Sequence, residues 1–250
     1  VLRSWLDRLA RARVRNVPLS YHLNLYRLLG FSFDAFTSDA SGEQGLSSVP
    51  TAAFRLYGSE RSSEKGDVMH ADPVHLEADM DHAILTSPHS LDLFEHHADA
   101  LLEKLNTTFA EDGVNFFSHE GDWFVSASER ITLHTTPLDE AVGRNVNYLL
   151  PTGPQSENWK RLLTEVQMLM FGHEANDERE SRGLSRVNSL WFHGNGELPA
   201  RGEHTSRYVF SDDPVVLGMA AYAGVESYHC DRTSAEKARD CFEKVCSTIE

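Results

Sequence analysis

Apolar and polar positions alternate within residues 68–87, where Val74, Leu76 and Ala78 interleave with His75, Glu77 and Asp79. A spacing of two is the signature of a half-buried strand. A turn near Asp79–Asp81 leading into Ala83–Thr86 makes this a hairpin. The period lengthens over residues 90–109. There Phe94, Ala98, Leu101, Leu102, Leu105 and Phe109 mark one face of a helix, with Ser90 placed to cap it. Phe116–Phe117 and Trp123–Val125 flank a polar His119–Asp122 turn and predict a second hairpin. Thr136, Pro137 and Asp139 announce a short helix. Ser156 caps the longest helical stripe, which runs through Trp159, Leu162, Leu163, Val166, Leu169 and Met170. The polar residues 173–186 read as its solvated end passing into a loop.

The last third alternates strand and helix. Val187–Phe192, Tyr208–Phe210 and Val225–Tyr228 are strand candidates, and Ser211-Asp212-Asp213-Pro214 opens a helix that closes at Gly224. Residues 234–249 form a final helix. Upstream, residues 1–30 read as two helices broken near Pro18, 32–48 as a loop, Pro50 to Gly58 as a short helix and 59–67 as a polar connector. These elements predict an α/β (mixed α+β) fold: a mixed sheet with flanking helices and an N-terminal helical segment. Residues 1–250 form a single domain, with 1–58 a helical N-terminal subregion.

Charge narrows the partners. The chain carries 23 Lys and Arg against 38 Asp and Glu, a formal net charge of −15. Such a surface repels phosphate backbones, which excludes broad nucleic-acid or anionic-membrane binding. A small anion still fits where arginines or a helix N-terminus collect. No run reaches the roughly 18 apolar residues of a membrane span. The cysteines, Cys230, Cys241 and Cys246, are odd in number and crowd the C-terminal end, which points to a reducing, cytoplasmic setting with inert thiols. The chain begins with Val rather than Met, and residues 1–15 hold five arginines on an amphipathic pattern. That pattern fits a surface helix or a targeting segment.

Four constellations carry candidate chemistry. In an open α/β sheet, ligands gather where loops leave the strand ends. One such loop is His193-Gly194-Asn195-Gly196, in which Gly194 and Gly196 let backbone N–H groups approach an anion and His193 serves as acid, base or ligand. A tight turn with an exposed His explains the same residues. A second is Asp212-Asp213, which serves either as cation ligand and base or simply as the helix cap before Pro214. A third is Asp72 and His75, three apart at a strand start, which form part of a metal site or of an exposed polar face. The fourth is the polar end of the long helix, with Asn176, Arg179 and Glu180. Phosphate-loop, dinucleotide, zinc-protease, lipase-elbow and CxxC signatures are absent from the sequence.

The segments ADPVHLEADMDH (71–82), TTPLDEAVGR (135–144), NVNYLLPTGP (145–154), EVQMLMFGHEANDERESRGL (165–184), VNSLWFHGNGELP (187–199) and FSDDPVVLGMAAYAG (210–224) occur in this order. Together they resemble the RpfE-type bacterial regulatory proteins, which are often labelled cofactor-independent phosphoglycerate mutases. The resemblance implies a phosphorylated small-molecule substrate and a divalent cation, Mn or Mg. It carries over Asp72, His75, Asn188, His193, Asp212 and Asp213 as motif positions. The combined expectation is His193 and Asp212 as catalytic groups, with Asp72, His75 and Asp213 as metal ligands. Asn188, Gly194, Gly196 and Arg144 then contact substrate, with Arg179 and Arg186 as further cations. The alternative is a non-catalytic regulatory module whose acidic surface meets a protein partner.

Overall fold

A computed structural model describes residues 21–31, 49–60, 67–79, 82–86, 88–204 and 206–230, together with isolated helical positions at 239, 240, 243 and 247. The expected elements within 1–20 and 32–48, and most of the C-terminal helix, lie outside these residues.

The centre is a four-stranded antiparallel sheet in the order β4-β5-β1-β6, built from β1 (Asp67–Val74), β4 (Val114–His119), β5 (Asp122–Ala127) and β6 (Ser189–His193). The two predicted hairpins form: β2 (Leu76–Asp79) pairs β3 (His82–Leu85), and β4 pairs β5 with His119 opposite Asp122. Glu120 and Gly121, both at positive φ, make that second turn. The sequence pattern missed β1 as a separate strand. Its register runs His70 opposite Phe124 on one side and opposite His193 on the other.

Alternation divides the sheet. Met69 and Ala71, with Trp123, Val125, Leu190 and Phe192, face a core closed by α3 (Glu95–Thr108) and α5 (Ser156–Phe171). Each fully buried side chain of that size contributes about 1.5–3 kcal/mol. On the opposite face Phe117 and Phe124 pack on Ala52 and Leu56 of α2 (Thr51–Leu56). Behind α2 lie α1 (Tyr21–Leu28) and α7 (Pro214–Ala223), joined through Tyr26, Phe31, Phe54 and Met219. A parallel pair, β7 (Tyr208–Ser211) and β8 (Glu226–His229), flanks α7. A short α4 (Leu138–Ala141) follows Pro137.

Three local expectations change. Helix α3 begins at Glu95, not after Ser90; residues 88–90 form a 3-10 turn, and the carbonyls of Leu91 and Asp92 are taken by Arg179. Residues 173–186 are no solvated helix end. They contain α6 (Glu174–Ser181), capped by His173, with Asn176 and Arg179 fully buried. Asn176 bonds Met170 O and both backbone groups of Val187, which fastens α6 to the lead-in of β6. The thiol of Cys230 is not free: this residue is disulfide-bonded, so the cysteine-based expectation of a reducing compartment loses its support. No helix among the described residues is long and apolar enough to cross a membrane.

Candidate metal centre and acid–base site

The face of β1 turned from the main core places His70 and Asp72 two residues apart, hence on the same side. Across the β1–β6 ladder stands His193, the register partner of His70. Their imidazoles stack with centroids 4.6 Å apart at 12°. His193 Nε2 lies 2.6 Å from Asp72 Oδ2. One ligand atom from each of His70, Asp72 and His193 falls within 4.8 Å of the others.

Burial lowers the His70 pKa to about 3, with the neighbouring His193 adding to the shift, so His70 is a neutral imidazole at ordinary pH. Neutral imidazole is the form that ligates a metal. Two imidazoles and one carboxylate on adjacent strands match the donor chemistry of Zn, Mn or Fe centres. Asp72 accepts from His193 Nε2–H, which fixes the tautomer of that ring.

Arg55 of α2 is buried beside this group. Its Nε donates to Asp122 Oδ2 at 2.7 Å and its Nη1 to Glu120 Oε2 at 2.9 Å. Burial and the nearby Asp72 raise the Asp122 pKa against the opposing pull of Arg55. At the head of α7, Asp213 Oδ1 accepts Val215 N–H, and Oδ2 lies 2.9 Å from His22 Nε2. Burial alone raises the Asp213 pKa, but the bond and charge of His22 and the helix N–H groups outweigh it, and the net shift is downward. Thr51, at the start of α2, has a buried hydroxyl with no hydrogen-bond partner among the described residues, packed against Gly194.

Of the residues expected from sequence, the structure joins Asp72 and His193. His75 leaves them: its Nδ1–H donates to Arg186 O at 2.8 Å. Asn188 clamps the backbone of Leu76 through its Oδ1 and Nδ2, a structural bond rather than an open polar group. Arg144 is exposed and donates to Glu140 O. Arg179 and Arg186 are held by carbonyls and, for Arg186, by Asp177 and Glu180. Asp213 caps α7 and pairs with His22, while Asp212 is half-buried beside it and outside the His70–Asp72–His193 group. Gly194 at φ 69° and Gly196 at φ 134° do form the turn after β6. Sequence reasoning missed His70, His22, Thr51, Arg55 and Asp122. His70 had a signal: His70 and Asp72 alternate with Met69 and Ala71, a period of two in the opposite phase to that of residues 74–79.

A second grouping, His96, His97 and Glu178, bridges α3 and α6. Arg179 Nη1 stands 3.5 Å from His97 Nδ1, and Arg182 pairs with Glu178. Those cations oppose a metal ion there, so the group is an inter-helix contact.

The fold and site define a mixed α/β protein with a His-Asp-His cluster built across central strands. No family model matches the chain, and the RpfE-type resemblance stays a resemblance. The 2,3-bisphosphoglycerate-independent phosphoglycerate mutase of Methanosarcina mazei is 20% identical over 200 residues, which cover 76% of this chain and 50% of that protein. The chain is thus distantly homologous to such mutases and spans about half the length of the curated relative it matches. Among solved structures, a cofactor-independent phosphoglycerate mutase from Thermoplasma acidophilum aligns over 90% of this chain and 61% of its own, at 15% identity and a TM-score of 0.43. The PH0037 protein from Pyrococcus horikoshii aligns over 72% and 42%, at 13% identity and a TM-score of 0.41.

Proposed function

We propose that His70, Asp72 and His193 hold a divalent cation and that the site acts on a phosphorylated small molecule. The convergence of two imidazoles and a carboxylate on one sheet face carries this reading. The distant sequence similarity to a phosphoglycerate mutase supports the substrate class. The cation would supply positive charge to bind and polarise a phosphoryl oxygen. Arg55, held by Asp122 and Glu120, stands behind His70. The cytoplasm, where phosphorylated metabolites abound, is the proposed setting.

The test is calorimetric titration of purified protein with Mn²⁺ and Zn²⁺, followed by turnover of phosphoglycerates and generic phosphomonoesters with the metal present. One site per chain is expected, with affinity reduced about tenfold or more in Asp72→Asn and His193→Ala. Equal affinity in both variants rules the centre out. A non-catalytic regulatory role is the second reading, and the net charge of −15, which suits a basic protein partner, favours it. Metal binding without turnover on any of these esters is its expected result.

A further inference from the structure

His97 of α3 is only 1% exposed, and its two ring nitrogens meet opposite charges on α6. Nδ1 lies 3.5 Å from Arg179 Nη1, and Nε2 lies 3.5 Å from Glu178 Oε2. A guanidinium has donors and no acceptor, so Arg179 donates to Nδ1 and the ring proton sits on Nε2. Nε2 itself is buried and has no hydrogen-bond partner among the described residues. Three further charged or titratable groups surround the pair. The His96 ring lies beside His97 with centroids 4.0 Å apart, Arg182 shares the Glu178 carboxylate, and Asp92 acts on Arg179 from the segment before α3.

A proton from solution can enter this ring only at Nδ1. It turns the acceptor that faces Arg179 into a donor, which breaks that bond and sets two cations against each other in a buried place. Glu178 is the nearby carboxylate, and Arg182 already shares it. Burial first, then His96 and Arg179, hold the His97 pKa below its ordinary value against the pull of Glu178. The fold therefore prefers the neutral ring. The stability it contributes is full above an ordinary histidine pKa of about 6.5 and is lost as pH falls below that.

What Arg179 holds decides what moves. The same guanidinium takes Leu91 O and Asp92 O ahead of α3 and Ser185 O beyond α6. Three residues earlier on α6, Asn176 fastens Val187 before β6, the strand that carries His193. Leu91 and Leu93 form part of the wall of a cleft of about 820 Å³, which Asp72 also lines. Release of α6 thus reaches both the cleft wall and the footing of β6.

We propose that His97 is a proton-operated latch between α3 and α6: protonation at Nδ1 expels Arg179, frees α6 from the approach to α3 and loosens the Leu91–Leu93 wall of the cleft. The latch is independent of the metal-site reading and stands if that reading fails.

The experiment is hydrogen–deuterium exchange of the full chain at pH 7.5 and 5.0, corrected for the intrinsic pH dependence of amide exchange. Peptides over 88–94 and α6 are expected to lose protection about tenfold or more in acid, since one proton changes an opening equilibrium by at most about tenfold per pH unit. At pH 5.0 they are expected to exchange ahead of β1 and β5. His97→Gln offers Arg179 a carbonyl oxygen and cannot titrate, so it is expected to keep α6 protected at both pH values. His70→Gln and His193→Ala, which alter the candidate metal centre, are expected to retain the acid loss in α6. A nitrogen-15 NMR titration of the wild-type rings is the second measurement, with His97 expected as the Nε2–H tautomer and titrating below the ordinary value. Unchanged α6 protection in acid overturns the proposal, as does acid loss that persists in His97→Gln. Exchange of α6 and the central sheet with equal protection at pH 5.0 also overturns it, because the chain then opens as one unit, and so does an Nδ1–H tautomer.

Discussion

Gly194 ends β6 at φ 69°, and a Cβ there lies 2.0 Å from Thr51 Oγ1 and 3.1 Å from His70 Cδ2. Only a residue without a side chain lets the turn press α2 against His70. Gly194→Ala is expected to cost about 2–3 kcal/mol, from left-handed backbone strain plus overpacking. Urea denaturation measures it; a loss under about 0.5 kcal/mol means the turn and α2 are not tightly coupled. His70 sets the second residue-scale prediction. Its pKa is about 3 in the fold against an ordinary 6.5. The unfolded chain therefore binds more protons between those values, and stability contributed by the neutral ring is full above about pH 6.5 and is lost as pH falls toward 3. Within that window the slope from this one group is at most about 1.4 kcal/mol per pH unit. His70→Gln, compared with wild type by denaturation from pH 4 to 6.5, is expected to flatten the profile by roughly that amount. An unchanged slope excludes a buried neutral His70.

At the scale of elements, close backbone approaches and buried polar anchors hold the site. A Cβ on Gly218 of α7 lies 2.0 Å from Phe54 O of α2, so Gly218→Ala forces the two helices apart. A loss of about 2 kcal/mol or more is expected in thermal unfolding, and wild-type stability shows that the helices do not cross so closely. Arg179 is fully buried and donates to Leu91 O, Asp92 O and Ser185 O, tying α6 to the approach to α3. Arg179→Met strands three carbonyls and is expected to destabilise by about 3–4 kcal/mol, with little rescue by Arg179→Lys, whose single ammonium lacks the planar fork. Melting temperatures of the two variants against wild type decide it. Legibility in the sequence follows the same division. Both hairpins, the Trp159–Met170 stripe and the Asp213-Pro214 helix start were readable because each signal is local. β1 was not, since Met69 and Ala71 alternate with His70 and Asp72 for only four residues, Pro73 follows, and the phase then reverses at Val74. α6 was not, because Asn176 and Arg179 look like surface residues until their carbonyl partners are known. Asp72 and His193 were singled out from their loops, but their meeting depends on a register that no local pattern encodes.

For the whole molecule, the net charge of −15 is a term that opposes compactness. Raising NaCl from about 0.01 to 0.1 M shortens the screening length from roughly 30 to 10 Å. The melting temperature is expected to rise over that range; a fall means that exposed pairs such as Arg186 with Asp177 and Glu180 outweigh the repulsion.

The position of β1 in the sheet has a temporal consequence. One of its edges is satisfied by β5, but the other pairs only with β6, and Asp72 and His193 are 121 residues apart. As the chain leaves the ribosome, the hairpins and α3 can form while the His193 side of β1 still lacks its neighbour. That edge is an open template for another chain until residue 193 has emerged. Fragments that stop before Ser189 are therefore expected to be sticky and to lack the site, whereas a fragment that includes β6 closes the edge and assembles the cluster in one step. The His70–Asp72–His193 cluster is the last thing this sheet acquires, and it arrives with the strand that also protects it.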